Sequence, residues 1–297
     1  MSEPLETEGR AGALADLDRR PTLEVVRAVV RSHRDVLAAV EAAEPAIAAL
    51  ADAVAPRMDA GGRVVYAGAG SAGWVAFVDA TEWGSTFSVP DDRIVALVAG
   101  AEHPAGSFAE AAAEDDAAAG ADAVRALAPG ADDVVVAVSA SGRTPFALGA
   151  LGAAAEAGAF TAAVVCVTGS ELARRADLAV EVPAGPEVIS GSTRLKAGTA
   201  QKLVLNAFST ALMVRRGRTL GDLMTSMRVA NEKLRARAAR ICIAATGCSA
   251  AQAEAALAAA ANDVALAVVM LARDADVTTA RTLLDAAGGH LRRALDT

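Results

Sequence analysis

Apolar and polar positions follow two different periods along this chain. Between residues 61 and 182, short continuous apolar runs such as Val134-Val135-Val136 alternate with longer segments that have helical spacing. Short apolar runs bounded by turns are typical of buried strands, and helices between them favour a parallel sheet covered on both faces. The predicted strands cover residues 63–67, 94–98, 133–138, 162–167 and 178–182. The sequence therefore predicts an α/β fold with a doubly wound, five-stranded parallel sheet.

Helical patterns precede this region and connect its strands. After a polar arm over residues 1–20, the spacing predicts a helix over 22–58 that Pro45 can interrupt. Further helices are predicted after Ser71, over residues 107–128 and from Pro145.

From residue 196 to the end, the pattern is entirely helical. Two longer helices are predicted over 196–216 and 220–240, and three short ones over 241–297, with breaks near Asn262-Asp263 and Asp274-Ala275-Asp276. The predicted domains are an N-terminal arm with helices over 1–60, a sheet domain with trailing helices over 61–240, and a small bundle over 241–297 that resembles ubiquitin-associated domains.

Composition limits the kinds of partner that the chain can have. Hydrophobic residues make up 54% of the chain but aromatic residues only 3%, so the core has to be built from Ala, Val and Leu. A net charge of −8, without a basic stripe interleaved with aromatic residues, argues against nucleic acid. We expect no membrane segment, because residues 1–20 lack the apolar run of a signal peptide and the long Ala tracts are interrupted by Asp and Glu.

The cysteines indicate the compartment. Cys166, Cys242 and Cys248 lack the spacing of a metal site, and three thiols cannot all pair. A bridge between Cys242 and Cys248 is the alternative, but a reducing environment fits the pattern better. We therefore expect a cytoplasmic protein that needs no metal and no cofactor.

The loop after the first predicted strand contains the pattern G-x-G-x-x-G. Gly68, Gly70 and Gly73 supply its glycines between a strand and a helix, which suits the phosphates of a dinucleotide. Such a site also needs an acidic residue at the end of the second strand, whereas Asp91 and Asp92 precede that strand here. A nucleotide site is therefore disfavoured, and Gly70 and Ser71 remain candidates for binding another anion.

The loop after the third predicted strand is rich in hydroxyl groups. Ser139, Ser141 and Thr144 are able to donate hydrogen bonds to phosphate oxygens alongside backbone N–H groups. A dinucleotide site does not require such a loop, whereas a phosphosugar pocket does. The alternative is that Ser141 or Thr144 only caps the helix that begins at Pro145.

A third candidate loop lies in the run from Gly185 to Lys202, where the last strand gives way to a helix. Glycines and small hydroxyl residues there present N–H groups to an anion, and the helix dipole adds partial positive charge. The candidate binding residues of this run are Glu187, Ser190, Ser192, Thr193 and Lys196. Together the three loops predict a phosphorylated polar ligand, although a simple capped helix terminus also explains the third.

These loops resemble those of the N-acetylmuramic acid 6-phosphate etherases, which have the sugar isomerase (SIS) fold. The resemblance runs from about residue 5 to the end and is strongest from Gly185 to Asn206, with support from residues 141–145 and from Asp79-Ala80-Thr81-Glu82. It implies a lyase that cleaves the lactyl ether of N-acetylmuramic acid 6-phosphate in amino sugar metabolism and peptidoglycan recycling. It also implies a homodimer that binds a small sugar phosphate.

The resemblance implies that two carboxyl groups carry the reaction. One removes the C2 proton, which the C1 aldehyde acidifies, and the other protonates the leaving lactate oxygen or activates water. The family's motifs map these groups to Glu82 and Glu114, with Glu110 as an alternative to Glu114. Either of the two carboxyl groups is able to act as the base, with the other as the acid.

The chain also departs from the family pattern around the expected pocket. The altered positions are Ala11, Leu14, Ala72 and Trp74, together with Gly84-Ser85 in place of two prolines. Losing one hydrogen bond to a phosphate costs about 1.5–3 kcal/mol, so several such losses can change the substrate. Two alternatives therefore remain beside the etherase: an aldose–ketose phosphosugar isomerase and a non-catalytic phosphosugar-binding regulator.

Overall fold

A computed structural model describes residues 9, 12–103 and 108–296 of the chain. The strands are β1 (Val64–Gly68), β2 (Ile94–Val98), β3 (Val134–Ser139), β4 (Phe160–Val165) and β5 (Leu178–Glu181). The helices are α1 (Thr22–Asp59), α2 (Gly70–Phe87), α3 (Phe108–Ala112), α4 (Ala117–Ala126), α5 (Pro145–Glu156), α6 (Glu171–Arg175), α7 (Lys196–Arg215), α8 (Glu232–Thr246), α9 (Ala250–Ala259), α10 (Val264–Arg273), α11 (Val277–Ala286) and α12 (Leu291–Asp296).

The strands form one parallel sheet in the order β2-β1-β3-β4-β5. Every residue of β1 and β3 is buried, as expected for strands that helices cover on both faces. Val and Ala dominate these strands, as the composition predicts, and Tyr66 on β1 adds a buried aromatic ring. The predicted five-stranded, doubly wound sheet is confirmed.

Glycines allow α4 and α5 to pack closely against each other. A Cβ atom added at Gly120 would overlap the backbone of Phe146, and one added at Gly149 would overlap the backbone of Ala117. Only glycine permits this approach, because any side chain would push the two helices apart.

The prediction of one continuous helix over 107–128 is wrong. The chain forms α3, then a 3₁₀ turn over Ala113–Asp115, and restarts as α4 after Asp116. Asp116 has an extended backbone, and its side chain accepts a hydrogen bond from the N–H of Ala119, which is the geometry of an N-cap. The 3₁₀ turn carries Glu114, so this break decides where that carboxylate lies.

The interruption of α1 at Pro45 does not occur. Pro45 lies inside a helix that continues to Asp59. Proline removes the hydrogen bond to the carbonyl of residue i−4, here that of Glu41, which is an exposed residue of the helix.

The helix predicted over 220–240 is also wrong. Leu220 and Leu223 form an isolated bridge, and helix α8 begins only after Asn231, whose side chain accepts the N–H of Leu234. Gly217 and Gly221 have positive φ values of 71° and 61°, a conformation that stops helix propagation. The predicted boundary at residue 240 falls inside α8, and the division into 1–60, 61–240 and 241–297 stays a prediction.

The chain divides into two compact units. The first comprises Met1–Ala80 and Asp92–Ser209 and contains the sheet, whereas the second comprises Thr81–Asp91 and Thr210–Thr297. In the second unit, α8 to α12 surround a core that includes Cys242, Leu257 and Leu266. The helix breaks predicted near Asn262-Asp263 and Asp274-Ala275-Asp276 are confirmed, and four helices rather than three short ones follow α8.

No single helix within the described residues has both the length and the apolar character needed to cross a bilayer. The pair formed by Glu232–Thr246 and Ala250–Ala259 meets those criteria only when taken together, and it is bent by 112°.

Candidate active site

The order of the strands determines where a ligand cleft forms. From β1 the chain first adds β2 on one side and then adds β3, β4 and β5 on the other side, so the order of connections reverses between β1 and β3. Open parallel sheets bind ligands at such a point, beyond the carboxyl ends of their strands. A cavity of about 320 Å³ occurs at these strand ends. It is lined by Ala69, Gly70, Ser71, Ala72, Glu114, Ser139, Ala140, Ser141, Thr144, Gly191, Thr193 and Gln201.

The loop after β1 owes its glycines to close packing. A Cβ atom at Gly68 would lie 2.8 Å from the carbonyl oxygen of Val138, and one at Gly73 would lie 2.8 Å from that of Gly68. The end of β1 therefore packs directly against β3 and the first turn of α2, which brings Gly70 and Ser71 to the cavity. Sterics at Gly68 and Gly73 account for these glycines of the G-x-G-x-x-G pattern without a nucleotide.

Hydroxyl groups in the loop after β3 form a connected hydrogen-bond network. Ser139 Oγ accepts the backbone N–H of Gly142 at 3.0 Å and lies 2.8 Å from Thr144 Oγ1. Ser141 Oγ accepts the N–H of Arg143 at 3.2 Å and lies 3.4 Å from Ser139 Oγ. The loop therefore presents ordered hydroxyl groups at the cavity.

Glu114 joins this network from the 3₁₀ turn before α4. The hydroxyl of Thr144 donates a hydrogen bond to Glu114 Oε1 at 3.0 Å. Because a hydroxyl carries a single hydrogen, Thr144 must then accept from Ser139. In this arrangement the hydrogens of both Ser139 and Thr144 are used within the network, with Thr144 orienting Glu114, so the roles of these two hydroxyls as phosphate donors stay predictions.

The N-terminus of α7 is occupied by a side chain of the protein itself. Glu187 is buried, and its two carboxylate oxygens accept the backbone N–H groups of Lys196 at 2.9 Å and Ala197 at 3.0 Å. A carboxylate at a helix N-terminus is stabilised by the helix dipole and by these donors. Lys196 is buried as well, and its ammonium group pairs with Asp35 at 3.1 Å. Neither Glu187 nor Lys196 is among the residues that line the cavity.

Asp79 fixes α2 to its neighbours from within the core. Its carboxylate accepts hydrogen bonds from the Tyr66 hydroxyl at 2.9 Å, from Asn206 at 3.2 Å and from Ser209 at 3.2 Å. Burial raises the pKa of Tyr66 well above its ordinary value, and the charge of Asp79 adds to this effect. The first residue of Asp79-Ala80-Thr81-Glu82 therefore ties α2 to β1 and α7.

The chain is similar to known proteins along almost its whole length. Residues 46–155 match the model of the glucokinase regulatory protein N-terminal SIS domain, and residues 117–211 match the model of the SIS domain. An N-acetylmuramic acid 6-phosphate etherase from Streptomyces avermitilis is 48% identical to the chain, over 99% of the chain and 94% of the relative. The chain belongs to the N-acetylmuramic acid 6-phosphate etherase family.

Other members of the N-acetylmuramic acid 6-phosphate etherase family show similar agreement. Those of Cutibacterium acnes and Escherichia coli O17:K52:H18 are 47% and 41% identical, over 98% and 99% of the chain and 95% and 98% of the relatives. A solved phosphoheptose isomerase from Francisella tularensis is 17% identical, with a TM-score of 0.47, over 66% of this chain and 100% of that one. The SIS-domain match and the five-stranded parallel sheet confirm the expected SIS-type fold of this family member.

The structure gathers part of the predicted site around the cavity. The predicted residues that line it are Gly70, Ser71, Glu114, Ser139, Ser141, Thr144 and Thr193. Ser190 instead lines a separate cavity of about 600 Å³ together with Leu14, and Ser192 is half-buried outside both linings. Glu82 is exposed on α2 and belongs to the second unit.

Ala11 and the side chain of Glu110 lie outside the described residues. Of the remaining departures from the family, Ala72 lines the cavity, while Trp74 packs edge-to-face against Phe77 with ring centroids 5.7 Å apart. Within the described ranges, no three His, Cys, Asp or Glu side chains are close enough to hold a metal ion. The binding and catalytic roles assigned from the sequence stay predictions.

Among the cavity residues that sequence reasoning did not single out, Gln201 carries a polar side chain. This residue lies on α7, is 1% exposed and lines the cavity. The buried apolar residues Ala197, Ala200, Val204, Leu205 and Phe208 flank it at helical spacing. A polar residue within an otherwise apolar helical stripe is the signal that would have identified it.

Proposed function

We propose that this protein cleaves the lactyl ether of N-acetylmuramic acid 6-phosphate to give N-acetylglucosamine 6-phosphate and D-lactate. One observation carries the proposal: in a member of the etherase family, the hydroxyl-rich loop after β3 and the Glu114 carboxylate line the same cavity. The relatives reported above are named etherases, which supports this function over the isomerase and the regulator.

The reaction is an elimination followed by the addition of water. In the open-chain sugar, the C1 aldehyde acidifies the C2 proton, which a carboxylate removes as the bond from C3 to the lactyl oxygen breaks. The lactate oxygen takes a proton as it leaves, and an α,β-unsaturated aldehyde remains. Water then adds at C3 while C2 regains a proton, so the net change is hydrolysis of the ether.

The loop after β3 is the proposed site for the phosphoryl group. Ser141, which is half-buried at the cavity, supplies the proposed donor hydroxyl, and its Oγ is held in place by the backbone N–H of Arg143. Ser139 supports the loop by accepting the N–H of Gly142 and donating to Thr144. The backbone N–H groups of α7 that Glu187 occupies do not take part in this proposal. The loop after β1, through Gly70 and Ser71, completes the proposed anion site.

Glu114 and Glu82 are the proposed carboxyl groups of the reaction. The place of Glu114 in the cavity supports this role, because the hydrogen bond from Thr144 fixes one of its carboxylate oxygens there. Oriented general acids and bases contribute about 10²–10⁴-fold to a rate. Glu82 is proposed from its position in the motif that resembles the family's own.

We also propose that the protein is a homodimer. Helix α1 exposes Leu23, Val26, Val30 and Leu37, which recur at helical spacing along one side. An apolar stripe of this kind on a long helix is suited to burial against a second copy of the chain. The cytoplasmic location expected from the sequence stays a prediction.

The release of D-lactate tests the proposed function. Purified protein is incubated with N-acetylmuramic acid 6-phosphate, and lactate is assayed for the wild type and for Glu82→Gln and Glu114→Gln. We expect each substitution to lower kcat by at least about 100-fold, because each removes a proton-transferring group. Glu41→Gln, an exposed change on α1, is the control and should keep wild-type activity.

Two other outcomes would contradict the proposal. Deuterium entering C2 from solvent without lactate release would indicate an isomerase. Tight binding of the sugar phosphate with neither signal would indicate a regulator.

A further inference from the structure

We propose that the side-chain amide of Gln201 donates a hydrogen bond to an oxygen of the sugar phosphate bound in the cavity, which makes Gln201 a substrate-binding residue. This inference rests on the proposed function for the identity of the ligand. It adds a contact from α7 to those from the loops that follow β1 and β3.

The first support is a donor without a partner. Gln201 is 1% exposed, and its Nε2 atom is buried without any hydrogen-bond partner among the residues that the structure describes. Buried polar atoms in proteins are nearly always paired, because an unpaired donor loses its hydration and gains nothing in return. Since Gln201 lines the cavity, a ligand there is able to supply the missing acceptor.

The second support is that packing alone does not explain the amide. The neighbours of Gln201 on the buried side of α7, Ala197, Ala200, Val204 and Leu205, are all apolar. A methionine has nearly the same volume and shape as glutamine and would fill the position without an unpaired donor. The amide is therefore expected to lower the stability of the protein without ligand, which is typical of a residue whose hydrogen-bond partner arrives with the ligand.

The third support is the chemistry of the proposed ligand. An N–H group only donates, so the ligand has to offer an acceptor oxygen. A sugar phosphate offers acceptors both on the phosphoryl group and on the sugar. Either kind of oxygen satisfies the proposal, and the choice of probes below separates them.

The test measures binding of two probes, N-acetylglucosamine 6-phosphate and inorganic phosphate, by titration calorimetry to the wild type and Gln201→Met. We expect the Kd for the sugar phosphate to rise by about tenfold or more if the acceptor is a phosphate oxygen, and by about threefold to tenfold if it is an uncharged sugar oxygen. If Gln201 contacts the phosphate, Gln201→Met should bind both probes more weakly. If Gln201 contacts the sugar, only the binding of N-acetylglucosamine 6-phosphate should be weaker. Unchanged binding of both probes would overturn the inference.

A second variant tests the direction of the hydrogen bond. Gln201→Glu keeps the shape but replaces the donor with an acceptor that carries negative charge, so sugar-phosphate binding should be lost. If Gln201→Glu binds as tightly as the wild type, the residue accepts from the ligand and the assignment is wrong. Leu203→Met, an exposed change on the same helix, is the control and should bind like the wild type.

Thermal unfolding separates a binding role from a structural one. Without ligand, Gln201→Met should have a Tm equal to or above that of the wild type, because it removes a buried unpaired donor. With N-acetylglucosamine 6-phosphate added, its rise in Tm should be smaller than that of the wild type. A Tm well below the wild type without ligand would mean that the amide serves the fold, and would overturn the inference.

The same experiments keep this inference separate from the proposed function. If the wild type binds the sugar phosphate but releases no lactate, the etherase proposal fails while the Gln201 contact is still tested by binding. If lactate is released and Gln201→Met binds like the wild type, only the Gln201 contact fails. A wild type that binds no sugar phosphate would overturn the Gln201 contact.

Discussion

At the scale of single residues, Thr144 connects the two chemical parts of the cavity. Its hydroxyl lies 2.8 Å from Ser139 Oγ and donates to Glu114 Oε1 at 3.0 Å. One buried side chain thus links the hydroxyl-rich loop to a carboxylate 30 residues away in sequence. The Thr144 hydroxyl therefore holds one oxygen of Glu114 from a distant part of the sequence.

We predict that Thr144→Val lowers kcat by about tenfold to a hundredfold and changes KM less, because valine has the same shape but cannot orient Glu114. Thr144→Ser keeps the hydroxyl and should stay within about threefold of the wild type. Steady-state kinetics of lactate release give both constants. A wild-type kcat for Thr144→Val would show that the hydrogen bond does not orient Glu114.

Asp133 joins the starts of β1 and β3, which lie at the other end of these strands from the cavity. Its carboxylate accepts hydrogen bonds from Arg63 N at 2.7 Å, from Arg63 Nη2 at 2.8 Å and from Gly130 N at 2.9 Å. Burial by itself would raise the pKa of Asp133, but the hydrogen bonds from Arg63 and Gly130 outweigh burial and lower this pKa to about 2. The folded protein therefore binds a proton at Asp133 less readily than the unfolded chain does.

This difference predicts how stability depends on pH. Asp133 stabilises the fold fully above its ordinary pKa of 3.8, and the contribution is lost as the pH falls through about 2. We expect Asp133→Asn to lower the free energy of unfolding by about 1–3 kcal/mol near neutral pH, and the deficit to shrink in acid. Urea denaturation of both proteins over this pH range measures the effect, and a deficit independent of pH would contradict it.

At the scale of elements, the approach of α4 and α5 brings the site together. Glu114 lies just before α4, and Thr144 lies just before α5, so the distance between these helices sets the distance between the two side chains. Gly120 and Gly149 make the close approach sterically possible. A packing feature within the fold thus places a hydrogen bond in the cavity.

We predict that Gly149→Ala lowers the free energy of unfolding by about 1–3 kcal/mol and also lowers kcat, because the added methyl group meets the backbone of Ala117 and separates the helices. Gly152→Ala, on the same helix, adds its methyl group where no atom lies within 4 Å. This control should be as stable as the wild type or more stable by up to about 1 kcal/mol, because alanine favours helix. Equal stability and activity of the two variants would refute the packing argument.

At the scale of the whole molecule, the exposed stripe of α1 predicts self-association. Sedimentation of the wild type should give about twice the chain mass of 29.8 kDa. Val30 is 65% exposed, so Val30→Asp should leave the fold intact but yield a monomer, because burying a charge at the interface is unfavourable. Ala38→Asp, an exposed change on the same helix away from the stripe, should remain dimeric.

A wild type that sediments as a monomer would contradict the proposed homodimer. So would a Val30→Asp variant that keeps the wild-type mass.

The sequence by itself determined the sheet and the loops at its carboxyl ends. Apolar runs such as Val134-Val135-Val136 and the glycines and hydroxyl groups that follow them are local signals, which do not depend on distant contacts. The apolar pattern by itself predicts helices that are too long at Asp116 and at Gly221, because one N-cap or one residue with positive φ interrupts a helix against its apolar pattern.

Only the tertiary structure decided which polar side chains meet. The pairing of Thr144 with Glu114, the capping of α7 by Glu187 and the burial of Gln201 in the cavity wall all depend on how separate elements pack. Periodicity shows which face of a helix is buried, but it does not show which partner a buried polar group finds there. That partner is set by contacts between residues far apart in sequence. Each polar group that packing buries needs a hydrogen-bond partner at that place in the fold.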